Sequence, residues 1–461
     1  MTPEEFRSHG HAAVDWVADF LAHPERYPVL PKVQPGELTA QLPPSAPESG
    51  EPMDAILDDF RRLVVPAMTN WNHPGFMAYF ANTSPGPAII AEMLAASMNG
   101  NGMLWKTSPA LTELEQLVLG WLRQWLGLPG EFFGLIYDTA SVSSMHAIAA
   151  AREMADPEAR TRGASPGLVV YTSEQSHSSI EKGAIALGFG QDNVRKVPVD
   201  AAFRMRPEVL AEMIERDIAA GLRPCCVTAT VGTTSSTSVD PVPAIADLAG
   251  RFNMWLHVDA AYAGSAAILP ELRHIFDGVE RAHSLVTNPH KWLFTPMDLS
   301  AFYTRRPDIL RRAFSLVPEY LRTAEDSRVV NLMDYGVPLG RRFRALKLWF
   351  VMRYYGREGL AQLIRNQIAW AQELAALIDA HPDFERTAPT PFSVVCFRHK
   401  GTDDDNRRIM ERVNAGGEFF LSHTALNGRY TLRVAIGNMW TTREHVMRLW
   451  DVVREAASAP A

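Results

Sequence analysis

The feature that most constrains the fold of this chain is a regular alternation of helical and β-branched segments that begins near residue 109. Helical patterns are expected at 109–127, 141–155, 178–188, 206–219, 241–252 and, more briefly, 270–277. Between and after them lie the short apolar runs LIY, LVVYTS, VRKVPV, CCVTATVGTT, WLHVDAAYAG, SLVTN and SAFYT. Strands separated by crossover helices form a mostly parallel sheet with helices on both faces. The pattern therefore predicts a large α/β domain.

The residues before this alternation predict a helical arm. Helical patterns cover 1–30, 53–70 and 86–100, and a stretch rich in Pro, Gly and Ser at 31–52 reads as an extended linker. We assign residues 1–85 to this arm and residues 86–360 to the large domain.

The residues after the alternation predict a small C-terminal domain at 361–461. One long helix is expected over 341–380, with a break at Gly356. The segments that follow are a strand within FSVVCFRHK, a helix at 403–415, a strand near 418–422, a strand within YTLRVAIGN and a helix at 441–456. This order is typical of an α+β domain.

Composition excludes several classes of partner. The 461 residues carry a formal net charge of −7 without a Lys/Arg-rich run, so we expect no nucleic-acid partner. No apolar run approaches the roughly 20 residues that cross a bilayer, and the acidic start MTPEEF lacks the basic residues of a secretory signal. Cys225, Cys226 and Cys396 show no metal-ligand spacing and suit a reducing compartment. We therefore expect a cytoplasmic protein without a metal or a membrane segment.

Two charged residues stand where predicted strands end. Asp259 ends an apolar run, where a buried acid is costly unless it meets a cation, and Lys291 follows SLVTN, 32 residues later. By itself, Asp259 could be a turn residue and Lys291 a solvated side chain. As an ordered pair they match pyridoxal 5′-phosphate (PLP) enzymes, in which a carboxylate keeps the pyridine nitrogen protonated and a lysine holds the cofactor covalently.

Three other segments could surround such a cofactor. TATVGTTSSTSVD (228–240) brings Thr233 and Thr234 after a strand, and their hydroxyls can donate to a phenolic or phosphate oxygen. YDTASVSSMH places Ala140 and Ser141 at the start of a helix, where free amide hydrogens bind phosphate. His177, in YTSEQSHSSIE, could stack on the cofactor ring or be an ordinary loop histidine.

Together these segments resemble the group II PLP-dependent decarboxylases, most closely their aromatic-L-amino-acid branch. The motifs that carry the resemblance are HPGFMAYF (73–80), SPALTELE (108–115), QSHSSIE (175–181), HVDAAYAGSA (257–266), NPHKW (288–292) and PLGRRFRALKLWF (338–350). The resemblance implies PLP fold type I, as in aspartate aminotransferase, and a homodimer with active sites at the subunit interface. It also implies decarboxylation of tryptophan, phenylalanine, tyrosine or 3,4-dihydroxyphenylalanine (DOPA) to the amine and CO₂.

The resemblance also implies roles for individual residues around the cofactor. By position, Lys291 would attach the cofactor, Asp259 would bind the ring nitrogen and His177 would stack on the ring. The other implied cofactor contacts are Ala261 on the opposite ring face, Thr234 near the ring oxygen or the covalent link, and Ala140, Ser141, Asn288 and His290 at the phosphate. Asp138 departs from the Gly- or Ser-rich lead of relatives, and we expect it to point away from the phosphate because the two charges repel.

A fourth catalytic residue is implied by a polar loop. Tyr320, in LVPEYLRTAEDSRVVNLMDY, takes the place of the tyrosine that controls the return of a proton to the substrate Cα in relatives. Relatives with Phe at this position tend to be oxidative aldehyde synthases. Tyr320 therefore favours simple decarboxylation over the aldehyde synthase alternative.

The implied substrate pocket combines aromatic and polar residues. Its members are Trp71, Tyr79, Phe80, Asn82, Asn101, Met103 and Gly340. Asn101 and Met103, which the partner subunit could supply, stand where relatives commonly have aliphatic and aromatic residues. Gly340 resembles the indole-accepting plant enzymes, whereas the phenol-preferring ones have Ser.

Three alternatives differ in chemistry. An aminotransferase would need an arginine for the substrate α-carboxylate, and a glutamate or cysteine-sulfinate decarboxylase would need cationic groups facing the substrate side chain. The aromatic region 71–80 argues against the second of these. A PLP-binding protein without catalysis is disfavoured by the intact Lys291, Asp259 and Tyr320.

Overall fold

A computed structural model describes residues 1–316, 321 and 323–459 of the chain. The helices are α1 (Pro3–Ala22), α2 (Glu37–Ala40), α3 (Met53–Asp59), α4 (Gly86–Met98), α5 (Pro109–Leu126), α6 (Ala140–Ala155), α7 (Ala159–Arg162), α8 (Ser179–Ala186), α9 (Pro207–Ala219), α10 (Val242–Arg251), α11 (Pro289–Trp292), α12 (Pro307–Phe314), α13 (Arg344–Ala380), α14 (Asp403–Ala415) and α15 (Arg443–Ser458). The strands are β1 (Phe133–Tyr137), β2 (Leu168–Ser173), β3 (Val194–Val197), β4 (Arg223–Thr230), β5 (Trp255–Asp259), β6 (Ser284–Thr287), β7 (Ser300–Thr304), β8 (Phe384–Arg386), β9 (Val394–His399), β10 (Ser422–Leu426) and β11 (Arg429–Ala435).

The chain divides into two compact units. One contains residues 1–81, 376–385 and 397–461, and the other contains residues 82–375 and 386–396. The division at residues 85 and 360 that we expect from the sequence stays a prediction.

A seven-stranded sheet with helices on both faces organises the larger unit, which confirms the predicted fold class. Its strand order is β1-β7-β6-β5-β4-β2-β3. Strand β7 runs antiparallel to both of its neighbours, and the other pairings are parallel. Strands β2, β5, β6 and β7 are buried at every residue, which explains their continuous apolar sequences.

Parallel pairing places the ends of three strands side by side. Thr230 at the end of β4 lies in register with Asp259 at the end of β5, and Asp259 lies in register with Val286 of β6. Because the carboxyl ends of parallel strands meet at one edge of a sheet, the loops that follow β4, β5 and β6 share that edge. Polar groups on these loops are therefore neighbours.

The second sheet has four strands in the order β10-β11-β9-β8. Strands β10 and β11 form an antiparallel hairpin, and helices α14 and α15 pack on each other. The long helix α13 is interrupted at Gly356, where φ is 64° and ψ is 173°, so the predicted break is confirmed.

Two local predictions are wrong, and a third is correct in position but not in helix type. Residues 53–70 do not form one helix: after α3 come a π-helical turn (Phe60–Val64) and a 3₁₀ turn (Val65–Ala67), because Pro66 cannot continue an α-helix. The short helix expected at 270–277 is present as a 3₁₀ helix (Pro270–Phe276). The strand expected near 418–422 begins only at Ser422, since Phe420 pairs with the chain at Gly75 and Met77 instead of joining the sheet.

Candidate active site

Asp259 is the buried acid of the site. Its side chain lies at the end of β5 and is only 4% exposed. Oδ1 accepts a hydrogen bond from the Ala261 N–H at 3.1 Å. No described residue donates to Oδ2, so one carboxylate oxygen is left for a group outside the chain. A buried carboxylate in this state favours a cationic partner.

Lys291 lies in the short helix α11, on the neighbouring loop. The helix begins with Pro289, and the backbone N–H of Lys291 donates to the carbonyl of Asn288 at 2.9 Å. The N–H of Asn288 in turn donates to the carbonyl of Ala261 at 3.0 Å. This bond joins the loop that carries Lys291 to the loop that follows Asp259.

His177 lies within electrostatic reach of both residues. Desolvation is the largest effect and lowers the pKa of its imidazole, while Asp259 raises this pKa and Lys291 lowers it. Nδ1 accepts the N–H of Ser179 at 3.2 Å, so the neutral ring carries its proton on Nε2. The three residues that the sequence predicts as catalytic are therefore brought together in the larger unit.

Tyr320, the fourth predicted catalytic residue, lies outside the described residues.

The start of α6 offers amide hydrogens. Its N-cap residue, Thr139, makes no side-chain capping bond, and Ser141 in the first turn is exposed. Ala140 packs against Ala261 and Val286, which places the helix start beside the loop after β5. Asp138 Oδ1 accepts the Thr139 N–H at 2.5 Å, and its orientation relative to a phosphate stays a prediction.

Two buried polar residues add to this region. His290 Nδ1 accepts the Leu299 N–H at 3.0 Å, and burial, assisted by the charge of Lys291, lowers the pKa of His290 to about 3. The imidazole is therefore neutral, with Nε2–H as a donor. Asn288 is 2% exposed, and its Oδ1 has no hydrogen-bond partner among the residues that the structure describes. Buried polar atoms nearly always have partners, so this amide fits a site for a polar ligand.

Thr233 and Thr234, which follow β4, differ in whether their hydroxyls are open to a ligand. Thr233 is buried, and its hydroxyl accepts the Ser238 N–H at 3.0 Å within the turn. Thr234 is exposed. Of the two hydroxyls that the sequence offers, Thr234 is the one open to a ligand.

Asp240 is a buried acid that stabilises this edge of the sheet. The sequence did not predict its role. The Asp240 carboxylate accepts the N–H of Thr230 at 2.8 Å and the N–H of Met205 at 2.7 Å. Burial raises the pKa of Asp240 to about 6. Thr230 also lies 3.2 Å, hydroxyl to hydroxyl, from Ser176 beside His177, so Asp240 helps to position the ends of both β4 and β2.

The predicted substrate residues form two groups, each within its own unit. In the smaller unit the rings of Trp71 and Tyr79 stack with centroids 6.3 Å apart, and the Arg433 guanidinium lies 4.7 Å above the ring of Phe80. In the larger unit, Asn101 lies beside Gly340.

The remaining two substrate residues also lie in the larger unit. Asn82 Nδ2 is 3.8 Å from the Met297 sulfur. Met103 packs against Leu104, Leu321 and Met333.

Comparison with known proteins identifies the family. The family model described as the pyridoxal-dependent decarboxylase conserved domain matches residues 35–400. A phenylacetaldehyde synthase of Arabidopsis thaliana is 42% identical over 99% of this chain and 97% of its own length. An aromatic-L-amino-acid decarboxylase of Catharanthus roseus is 40% identical over 98% of this chain and 93% of its own length.

A solved structure has the same fold over nearly the whole chain. That of Oryza sativa TDC with PLP and tryptamine has a TM-score of 0.96 and 39% sequence identity, covering 99% of this chain and 98% of its own. The family model covers most of the chain and includes Asp259, Lys291 and His177. The buried Asp259 carboxylate fits a cationic ring nitrogen, and the uncapped start of α6 fits a phosphate. The chain belongs to the pyridoxal-dependent decarboxylase family, and its cofactor is pyridoxal 5′-phosphate.

Proposed function

We propose that this enzyme removes the α-carboxylate of an aromatic L-amino acid as CO₂ and releases the corresponding amine. The observation that carries the proposal is the grouping of Lys291, Asp259 and His177 at one edge of the sheet. The relatives named for aromatic amino acids, which match nearly the whole chain, support the substrate class.

Three residues would hold the reactive end of the cofactor. Bound PLP supplies an electron sink for the electron pair that is left at Cα when CO₂ departs. Lys291 would hold the cofactor covalently through Nζ, and the Asp259 carboxylate would keep a proton on the ring nitrogen. His177 would lie against one ring face, with Ala261 against the other.

The phosphate would be held by neutral donors. The candidates are the first amide hydrogens of α6 at Ala140 and Ser141, the Ser141 hydroxyl, the Nε2–H of His290 and the Asn288 amide. Thr234 would serve the ring oxygen or the covalent link. These donors bring no positive charge that would compete with the ring nitrogen for Asp259.

The substrate side chain would meet Trp71, Tyr79 and Phe80, with Asn82, Asn101, Met103 and Gly340. Rings and apolar walls suit a phenol or an indole. Tyr320 would control the proton that returns to Cα after CO₂ leaves.

A second candidate function is oxidative conversion of the amino acid to an aldehyde. A phenylacetaldehyde synthase that is 42% identical over nearly the whole chain supports it. Tyr320 favours the amine.

We also propose a homodimer. Helix α4 carries the large apolar side chains of Ile90, Met93, Leu94 and Met98, all exposed and spaced to share one side of the helix. Helix α1 buries none of its 20 residues. Such uncovered apolar surface is typical of subunit contacts. Light scattering should give twice the chain mass of 51.2 kDa, and a mass of one chain would contradict the proposal.

We place the enzyme in the cytoplasm, since Cys225, Cys226 and Cys396 are buried and form no disulfide, as a reducing compartment allows. Imaging of the tagged protein in its own cells tests this location.

The test of the function is a panel of L-amino acids assayed for CO₂ and for amine. Tryptophan, phenylalanine, tyrosine and DOPA should release both, and glutamate should release neither. A preference for glutamate would overturn the aromatic pocket. Aldehyde with peroxide in place of amine would establish the second candidate.

A further inference from the structure

We infer that Asp240 is a positioning residue for the cofactor, because it holds in place the segments that carry Thr234, Asp259 and His177. The inference goes beyond the proposed function and rests on the roles proposed there for these three residues. Asp240 lies in the larger unit, just after the turn that follows β4, and is only 2% exposed. It acts on the cofactor residues through the backbone at the end of β4.

The Asp240 carboxylate accepts two backbone donors at once. Oδ2 accepts the Thr230 N–H at 2.8 Å, and Oδ1 accepts the Met205 N–H at 2.7 Å. The backbone N–H of Asp240 also donates to the Thr230 carbonyl at 2.9 Å, so both backbone polar groups of Thr230 are bound by Asp240. A carboxylate offers an oxygen to each donor, whereas an amide of the same shape would turn its NH₂ group towards one of them.

The first segment that Asp240 holds is the turn that carries Thr234. This turn runs from Thr230 to Asp240, and the bonds between these two residues close it at its base. The turn also packs closely on the loop that follows β5, since a Cβ added at Gly232 would lie 2.5 Å from the Ala263 Cβ. Closure at the base therefore limits the positions that Thr234 can take.

The other two segments meet at the end of β4. The Val231 N–H donates to the Asp259 carbonyl at 2.8 Å, and Thr230 lies in register with Asp259. The Thr230 hydroxyl lies 3.2 Å from the hydroxyl of Ser176, the residue that precedes His177. A displacement of the end of β4 would therefore reach both the buried acid and the imidazole.

Such displacements should weaken the site. A misplacement of about 1 Å can lower a rate by about 100-fold, even when its cause lies away from the reacting atoms. Asp240→Asn keeps the size of the side chain but removes one of its two backbone bonds. The loss of a hydrogen bond to a charged group corresponds to about 10- to 100-fold in an equilibrium constant. We expect PLP to bind at least about 10-fold more weakly to Asp240→Asn.

The experiment compares the PLP-loaded native enzyme with Asp240→Asn and Asp217→Asn. Asp217 is the matched control, because it is also buried, but its carboxylate accepts hydrogen bonds from the side chains of Tyr171 and Arg195. Both variants should lose unfolding free energy. Equilibrium dialysis should show weaker PLP binding in Asp240→Asn alone, and the visible circular dichroism of the bound cofactor should change in Asp240→Asn alone.

A second variant keeps the test available if Asp240→Asn does not fold. Thr230→Val removes the hydroxyl that faces Ser176 but keeps the backbone N–H that Asp240 accepts, and it should change the same two readouts in the same direction. The inference would be overturned by unchanged PLP affinity and dichroism in Asp240→Asn, or in Thr230→Val where it replaces that variant. Equal changes in Asp217→Asn would also overturn it. Unchanged values in Asp259→Asn would instead overturn the role proposed for Asp259.

Discussion

Arg341 Nη2 lies 2.6 Å from Glu115 Oε1, and the two side chains are only 7% and 1% exposed. Glu115 also accepts the Ile136 N–H at 2.9 Å, and Arg341 donates to the Ile136 carbonyl at 2.8 Å. The pair therefore ties α5 and the segment before α13 to the end of β1, just ahead of the predicted phosphate-binding turn.

Breaking this pair should destabilise the fold. Arg341→Met leaves the Glu115 carboxylate buried without its cation, which costs about 3–5 kcal/mol of unfolding free energy. Arg342→Met is the matched control, because Arg342 is 68% exposed and its pairing with Glu92 is worth at most about 1 kcal/mol. Denaturant unfolding of both variants measures the difference. Equal losses would show that the Glu115–Arg341 pair does not stabilise the fold.

Asp259→Asn should slow decarboxylation while the protein still folds. The amide keeps the size of the side chain and can still accept the Ala261 N–H, but it cannot hold a proton on the cofactor ring nitrogen by charge. We expect kcat to fall by at least about 100-fold, or about 2.7 kcal/mol. Steady-state kinetics at saturating PLP measure it, and a kcat near that of the native enzyme would remove Asp259 from this role.

Tyr320→Phe should change the products. The substitution keeps the ring but removes the hydroxyl, so cofactor binding and CO₂ release should continue while the product shifts from amine towards aldehyde, ammonia and peroxide. Chromatography of products formed in air, with peroxide measured alongside, tests this expectation. An unchanged yield of amine, with a rate within about tenfold, would exclude Tyr320 from the mechanism.

Buried neutral histidines should make stability depend on pH. Burial lowers the pKa values of His146 and His257 to about 4 and that of His290 to about 3. Unfolded histidines bind protons below about pH 6.5, so the unfolded state takes up more protons than the folded state. The unfolding free energy should therefore fall as pH drops from 6.5 towards 4. Asp240 has the opposite effect on the unfolding free energy. Its raised pKa of about 6 means that the folded state binds more protons at this carboxyl than the unfolded state does.

A single substitution measures how much one buried histidine contributes to the pH dependence of the unfolding free energy. His257→Asn should reduce the pH slope of the unfolding free energy by up to about 1.4 kcal/mol per pH unit between pH 4 and 6.5. The exposed His11→Asn serves as the control for loss of an imidazole. Urea unfolding at several pH values gives the slopes, and an unaltered slope in His257→Asn would contradict a neutral buried ring.

The sequence predicts the sheet well, because its central strands are buried on both faces and read as unbroken apolar runs. The placement of Asp259 at the end of a strand and of Lys291 just after one could be predicted for the same reason, since each charge follows such a run. The strand expected near 418–422 is wrong because a distant segment at residues 75–77 pairs with Phe420, and no local pattern encodes that contact.

Other parts of the site needed three-dimensional information. Glu115 lies on the same face of α5 as the buried Leu111, Val118 and Leu122, and this helical spacing is a signal that could have revealed a buried acid. Its partner Arg341 could not be chosen over Arg342 from the sequence. The sequence also could not show which of Thr233 and Thr234 is available to a ligand. Only the geometry of the turn determines which hydroxyl forms a hydrogen bond within it.

We propose that Lys291 holds PLP at the edge of the sheet beside Asp259. The most direct measurement is reduction of the purified holoenzyme with borohydride, followed by peptide mapping by mass spectrometry. The visible absorbance of the cofactor should disappear, and the added pyridoxyl phosphate mass should lie on the peptide containing Lys291. The mass should be absent from Lys291→Ala treated in the same way. A reduced adduct on any other lysine, or no adduct on the native enzyme, would contradict the account.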